Sequence, residues 1–520
     1  MIKKHLFGGA LLVAVLVLLS GCKEIMSNLS NPVDAYFQLS ETSTKIYRGQ
    51  TYQIKYSTIS DAKPIFKSAD EKIATVDANG VVTGANRGTT KITVEIPATE
   101  NYNGASSEFL VEVDALLNLP KDAKELALNE EYNLGVTSVS KGKITYKSSN
   151  TKVATVDADG NVTAKGYGDA TISISIAATP EYDRTESVDF AATVRVLNYD
   201  QLKALIAENT EVTAILGDNA VITANGTHSW AGKKITITGN KEKPATIILS
   251  KVFYINDNFK IENVNIDATN LSNALIKLDN GGSAKLNEDV YPDAATKGAY
   301  YIEKVTLDNV MIKNLKQNLI HTNSRDWALD KLNVTNCIIQ LDNDTYPFIQ
   351  FNSPLKNSNK TAIKNITFKN NTIYNINGES NHYFVRFANA SNATGIFGTK
   401  NGTCKFNYVF ENNTFINTSK GQNFGNNTPN NAATTVIMTN NIYVDVKNIS
   451  KFAQGNCTKT LTGNYGYGSG QEDSMSTKLE SAPFTSPTEA LDLTKKYGGL
   501  NLKPSNEAAG AGDPRWYEAN

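Results

Sequence analysis

The densest gathering of reactive side-chain types in this sequence lies between His321 and Arg386. His321 is followed by Arg325, Asp326, Trp327 and Asp330; a second stretch carries Asp342, Asp344 and Tyr346; Gln350 and Arg386 come later. An imidazole and a guanidinium can hold an anionic group, and either can act as a base if its surroundings tune it. Trp327 and Tyr346 offer flat faces on which a ring could stack. The carboxylates are few and scattered, so they do not spell out a calcium site.

His321, Gln350 and Arg386 each follow an apolar pair, Leu319-Ile320, Phe348-Ile349 and Phe384-Val385. Such runs read as short strands, and strands stacked about 5 Å apart would set the three polar side chains in one outward row. The row is either a groove walled by the insertion Gly281 to Tyr301, with Arg325, Trp327, Tyr346, Gln350 and Arg386 as contacts, or a solvated ladder with one aromatic packed against a loop.

The strands come from a unit of the form apolar-x-apolar-x-Asn-x-x-apolar, centred on Asn309, Asn336, Asn370, Asn412 and Asn440 and preceded by a related run around Asn263. Asparagine tolerates the left-handed conformation of a sharp bend, and its amide can bond the same residue one coil above and below. The spacings of 46, 27, 34, 42 and 28 residues are too irregular for a propeller or a leucine-rich repeat. They suit a parallel β-helix, whose corners absorb insertions. Tyr199, Leu202, Leu205 and Ile206 share a helical face after a capping Asn198, and that helix is expected to cover the first coil.

Upstream, the run from Ser68 to Thr83 returns as Ser148 to Thr163, with Gly88 and Gly168, then Tyr102 and Tyr182, at the same offset. Alternating apolar and polar residues broken by Asp-Ala-Asn-Gly80 and Asp-Ala-Asp-Gly160 predict hairpins and two small antiparallel sandwiches. The fold class is therefore all-β: two sandwiches, then a right-handed parallel β-helix with a short capping helix. Domains are expected at 36–115 and 116–196 for the sandwiches and 197–480 for the β-helix, with 481–520 as an extension packed on it.

The first residues carry Lys3 and Lys4, an apolar run from Leu6 to Leu19, then Ser20-Gly21-Cys22. This order predicts a signal peptide over 1–21, lipidation at Cys22 and a linker over 22–35. Lys and Arg number 51 against 52 Asp and Glu, which gives no electrostatic footprint for nucleic acid. Of the later cysteines, Cys337 sits in an apolar pattern, whereas Cys404 and Cys457 are candidates for a bridge.

Leu19-Ser20-Gly21-Cys22 resembles the bacterial lipobox, which implies an acyl-anchored protein of the outer membrane. The phrase Ile73-Ala74-Thr75-Val76-Asp77 with Gly80 and Thr83, and its second copy, resembles the group 2 bacterial immunoglobulin-like domain and implies a cell-surface spacer or adhesive module. From about residue 197 the chain resembles the pectate-lyase-like β-helix superfamily, in particular uncharacterised β-helix domains of lipoproteins from glycan-utilising Gram-negative bacteria. The ending Ala508 to Trp516 is similar to one common in that group. The resemblance implies carbohydrate work, with Arg386 or His321 contacting an acidic sugar and Trp327 or Tyr346 stacking on a ring. The Gly-His-Gly run of related hydrolases is missing.

Three functions are compatible with these features. The favoured expectation is a non-catalytic surface protein that binds extracellular polysaccharide, with other glycan-uptake proteins as further partners and no cofactor. The second is a polysaccharide lyase, which would use Arg386 or His321 and would bring calcium into play. The third is an adhesin.

Overall fold

The computed structural model describes residues 32–182, 185–226, 228–279, 285–322, 325–351, 361–377, 381–387, 396–398, 404–428, 432–468 and 474–517. The signal peptide and Cys22 lie outside the described residues. Contacts divide the chain into two units, one holding most of residues up to Ala192 and the other running from Thr193 onward with two short earlier pieces.

The first unit carries the eighty-residue repeat as immunoglobulin-like β-sandwiches. In the first copy a four-stranded sheet built on Gly88–Ile96 and Ala105–Asp114 faces a three-stranded sheet that includes Val81–Gly84. Strict alternation sends Ile92, Val94, Phe109 and Val111 into the core. The repeated turn is identical in detail. Asp77 Oδ1 accepts from the N–H groups of Asn79 and Val81, and Asp157 Oδ1 from those of Asp159 and Asn161. Gly80 and Gly160 take φ of 79° and 77° beneath the rings of Phe66 and Tyr146. A side chain there would meet both backbone strain and an aromatic ring.

The second unit is a parallel β-helix. Its strands fall into three parallel sheets. Sheet one has nine strands from Glu211–Ile215 to Thr458–Thr462, and sheet two has ten from Val221–Ala224 to Thr477–Lys478. Sheet three has seven, from His228–Ser229 to Gly425–Asn426. The interior is a continuous apolar column in which equivalent rings stack coil on coil, Phe348 on Phe384 at 4.8 Å and Phe384 on Phe424 at 4.6 Å. Helix Tyr199–Glu208 closes the first coil, capped by Asn198 Oδ1, with Leu202 and Ile206 buried. The Tyr199 hydroxyl bonds His228 Nδ1, and burial holds that imidazole down at about 4.

Sheets one and two join at the predicted bend. Asn263, Asn309, Asn336, Asn370, Asn412 and Asn440 all adopt left-handed φ between 52° and 56°. Their amides form an outer ladder: Asn309 donates to Asn263 at 2.9 Å, Asn370 to Asn336 at 3.1 Å and Asn412 to Asn370 at 3.3 Å. Asn336 bonds Asp308 instead, at 2.8 Å.

One residue further on lies a second, buried ladder of Asn371, Asn413, Asn441 and Asn464, which sequence reading missed. Each amide oxygen from Asn413 to Asn464 accepts from both the backbone N–H and the Nδ2 of the rung before it. Each Nδ2 also donates to a backbone carbonyl, as Asn413 does to Phe368 at 2.8 Å. In the middle rungs, Asn413 and Asn441, every amide donor and acceptor is bonded inside an apolar column, and losing one such rung strands partners on both sides. We predict that Asn413→Ala costs on the order of 3 kcal/mol in urea unfolding, whereas Asn412→Gly costs about 1 or less, since glycine tolerates the left-handed bend. Gly463, at φ 66°, already occupies that position in the last coil. Equal losses for the two variants would contradict a dominant buried ladder.

Candidate functional site

The outward positions of sheet three form one row. Ser229 is opposite Tyr254, Tyr254 opposite Lys277, Lys277 opposite His321, His321 opposite Gln350, Gln350 opposite Arg386 and Arg386 opposite Asn426. The strands are short and alternate strictly, as in Phe253–Ile255, Ile276–Leu278 and Val385–Phe387. The flanking apolar residues therefore point inward and only the middle one reaches solvent. Neighbouring rows sit about 4.8 Å apart. His321, Gln350 and Arg386 align as the spacing predicts. Tyr254 and Lys277 extend the row, and the same apolar-x-apolar signal would have found them.

Burial is the main cause that holds the half-buried His321 imidazole down at about 4, and the neighbouring Lys277 charge adds to it. Burial also lowers the Lys277 ammonium. Gln350 Oε1 accepts from Asn318 Nδ2 at 3.0 Å, which fixes its amide. Arg386 is exposed, its guanidinium 5.9 Å from the Tyr383 ring centre. At neutral pH the centre of the row thus presents a neutral imidazole between the Lys277 ammonium and an amide, with a guanidinium one coil further on.

Tyr346 stands on the corner before the Gln350 strand and is 41% exposed. Asn343 clamps its backbone, accepting from the Tyr346 N–H at 3.0 Å and donating to its carbonyl. Arg325 is exposed on the corner after His321, its N–H bonded to the Thr322 carbonyl. Trp327 is a correction. It is fully buried at the start of strand Trp327–Thr335, where three consecutive residues face inward, and its ring packs 5.2 Å from Tyr300. It cannot stack on a ligand.

Asp330 also turns away from the row. It accepts from the Tyr291 hydroxyl at 3.0 Å and from Asn365 Nδ2 at 2.9 Å, and Lys364 Nζ lies 4.0 Å away. Tyr291 belongs to the long insertion, whose described part packs against sheet-one strands and, through Asn287 Nδ2, against the Ile396 carbonyl. His382, not singled out from sequence, is buried with its ring nitrogens against the carbonyls of Asn343 and Tyr383.

Cys337, Cys404 and Cys457 are all free and buried, so the Cys404 to Cys457 bridge is not formed. Cys404 lies instead within electrostatic reach of Lys364 and Asp330, and Cys457 Sγ is bonded to the Gln454 carbonyl. Among the described residues no three His, Cys, Asp or Glu side chains converge to hold a metal ion, and no helix is long and apolar enough to cross a membrane.

Comparison with known families gives separate matches in the immunoglobulin-like region and in the β-helix. Residues 35–99 match the bacterial Ig-like domain (group 2). The N-terminal unit therefore opens with a bacterial Ig-like domain. Residues 137–179 match the intimin immunoglobulin-like domain, and residues 222–376 match a domain of unknown function, DUF4957. No curated protein matches the chain. Among solved structures, domains 4 and 5 of the S-layer protein SbsC are 14% identical, covering 30% of this chain and 96% of that one at a TM-score of 0.14. Drosophila N-cadherin EC1-3 is 10% identical, covering 32% and 68% at a TM-score of 0.15. Mouse cadherin-23 EC22-24 is 13% identical, covering 31% and 64% at 0.15.

Because Lys277 opposes protonation of His321, Lys277→Ala is expected to raise the His321 pKa from about 4 toward the ordinary histidine value, with burial retaining part of the depression. Proton NMR titration of the histidine ring signals reads this directly. An unmoved or lowered His321 value would refute the contact.

Proposed function

We propose that this chain is a lipid-anchored protein of the outer membrane that faces the cell exterior and binds an acidic polysaccharide along sheet three of its β-helix. The observation that carries this reading is the register that sets Lys277, His321, Gln350 and Arg386 in consecutive coils. Such a row offers a hydrogen-bonding or charged group about every 4.8 Å, which suits an extended polymer better than a compact metabolite. Tyr346, exposed beside the row with its backbone clamped, adds a face for a sugar ring. The immunoglobulin-like sandwiches act as spacers, and lipidation at Cys22 anchors them. Other glycan-uptake proteins are natural partners for a binder so placed.

A catalytic reading takes its support from His321, which is held neutral beside Lys277 and is one coil from Gln350. A neutral imidazole can accept a proton next to a uronate. The same experiment weighs both. The protein is run in affinity gels containing acidic or neutral polysaccharides, and parallel incubations with calcium are scored for unsaturated uronides and new reducing ends. Retardation by an acidic polymer without new ends, lost in Arg386→Ala, is the expected result. New ends that vanish in His321→Ala would make the protein a lyase, and retardation unaffected by Arg386→Ala would sink the sheet-three reading.

Anchoring is read separately. Full-length protein expressed in a Gram-negative host should sediment with membranes and incorporate labelled palmitate, and Cys22→Ala should abolish the label. Labelling that persists in Cys22→Ala would rule out this anchor.

A further inference from the structure

A second recess lies on sheet two, where the C-terminal segment crosses its outer face. Side chains of the sheet tie that segment down: Asn265 Nδ2 donates to the Leu493 carbonyl at 3.1 Å, Gln340 Nε2 to the Glu489 carbonyl at 3.1 Å, and Gln340 Oε1 accepts from the Leu491 N–H. Further along, Trp516 Nε1 and the Asp513 carboxylate both bond the Thr372 hydroxyl at 2.8 Å. Leu491, Leu502 and Trp516 fill the apolar outer face over Ile338, Tyr374 and Ile442.

Toward the N-terminal coils the turn at residues 493–497 leaves a cleft of about 640 Å³ that no protein group fills. Its floor is the outer face of sheet two, where Val221 is 62% exposed and Met311 half-buried, with the bend amide of Asn309 beside them. Asn309 gives its Nδ2 hydrogen bond to Asn263.

The wall is Tyr497. It holds a left-handed backbone, φ 54° and ψ 29°, which is a genuine outlier for a bulky residue. Such strain persists only where surroundings impose it, and it concentrates at ligand clamps. Here the ring is fixed edge-on against Trp516, with centres 5.7 Å apart, while Lys496 Nζ lies 4.8 Å from its centre.

Four cations and one acid line the cleft: Lys241, Lys495, Lys496 and Arg515 against Glu242. Arg515 is committed to Asp513 and Lys495 to Asp492. Lys241 and Lys496 have no carboxylate partner among the described residues.

We infer that this cleft is a separate binding site for a short acidic oligosaccharide, a chain end or branch bearing a carboxylate or sulfate. The apolar strip of Val221 and Met311 and the Tyr497 ring suit the C–H face of a sugar. The amide and hydroxyl of Asn309 and Thr246 suit its hydroxyl groups, and Lys241 with Lys496 suits the anion. A fully apolar ligand would waste the lysines, and a bare phosphate would leave the apolar floor empty. The inference takes its ligand class from the glycan-binding reading but places the site on a different sheet.

The test is calorimetric titration of the full-length protein in detergent with trigalacturonate, a heparin-derived sulfated disaccharide and neutral maltotriose, with hydrogen exchange followed over Leu491 to Leu500. One of the two anionic probes should bind and slow exchange in that segment. The double variant Lys241→Glu, Lys496→Glu should remove that slowing and weaken the binding it reports by about tenfold or more. Unchanged exchange in that segment with both anionic probes overturns the cleft, as does slowing that the double variant keeps. If acidic polymers still retard the protein in the affinity gel in those cases, the sheet-three reading survives alone.

Discussion

The β-helix depends on one polar constraint, that the chain must turn sharply from sheet one to sheet two at the same height in successive coils. A bend of this kind forces one residue into left-handed backbone and turns the next inward, leaving backbone groups to be satisfied inside a dry column. Asparagine meets both demands. The outer asparagine accepts the left-handed backbone at low cost, and the inner one, where present, supplies two donors and an acceptor to the coils on either side. Cys337, which stands where the inner asparagine would be in its coil, still takes part, its N–H donating to Asn371 Oδ1 at 2.8 Å. The inner ladder therefore ends on a thiol that needs no amide partner, consistent with apolar Val310 in the coil before it.

With this bend held constant, the other corners are free to vary. The insertion before Tyr300 and the segment around Ile396 extend from the corners after sheet three without altering register in sheet one, where Tyr300 to Asp308 still pairs residue for residue with Trp327 to Thr335 apart from one step. A fixed column with variable corners is what lets a row of side chains keep one direction over many coils. Sheet three inherits its order from the asparagines on another corner of the coil.

The outer asparagines, the sheet-three row and the capping helix could be read from sequence because each is a local pattern repeated at a recognisable position. Trp327 could not. Its strand begins at Trp327, five residues before Leu332 where the alternating pattern starts, so a side chain expected on a loop is drawn into the core beside Tyr300. The inner ladder was visible only as Asn-Asn pairs, and its burial depends on which of two adjacent asparagines takes the left-handed backbone. The C-terminal segment has neither periodicity nor strands of useful length. Its position is set by single long-range hydrogen bonds, such as Asp513 to Thr372, that no local pattern announces.

That last segment also shows how a polar latch can seal an apolar face. Asp513 is almost completely buried, and burial raises its pKa against the opposing pull of Arg515, Thr372 and the Arg515 backbone. Arg515 spans Asp513 and the Asn370 carbonyl, so the latch is fastened to the same outer ladder that sets the bend. Breaking one member of a buried ionic pair leaves the other charge stranded, which makes the latch cooperative rather than a sum of contacts. The far end of the segment, around Leu493 to Tyr497, is tied by one amide from Asn265 and by the strained Tyr497 against Trp516. A ligand entering there would meet an aromatic wall anchored at its base, with two lysines left free to close on it.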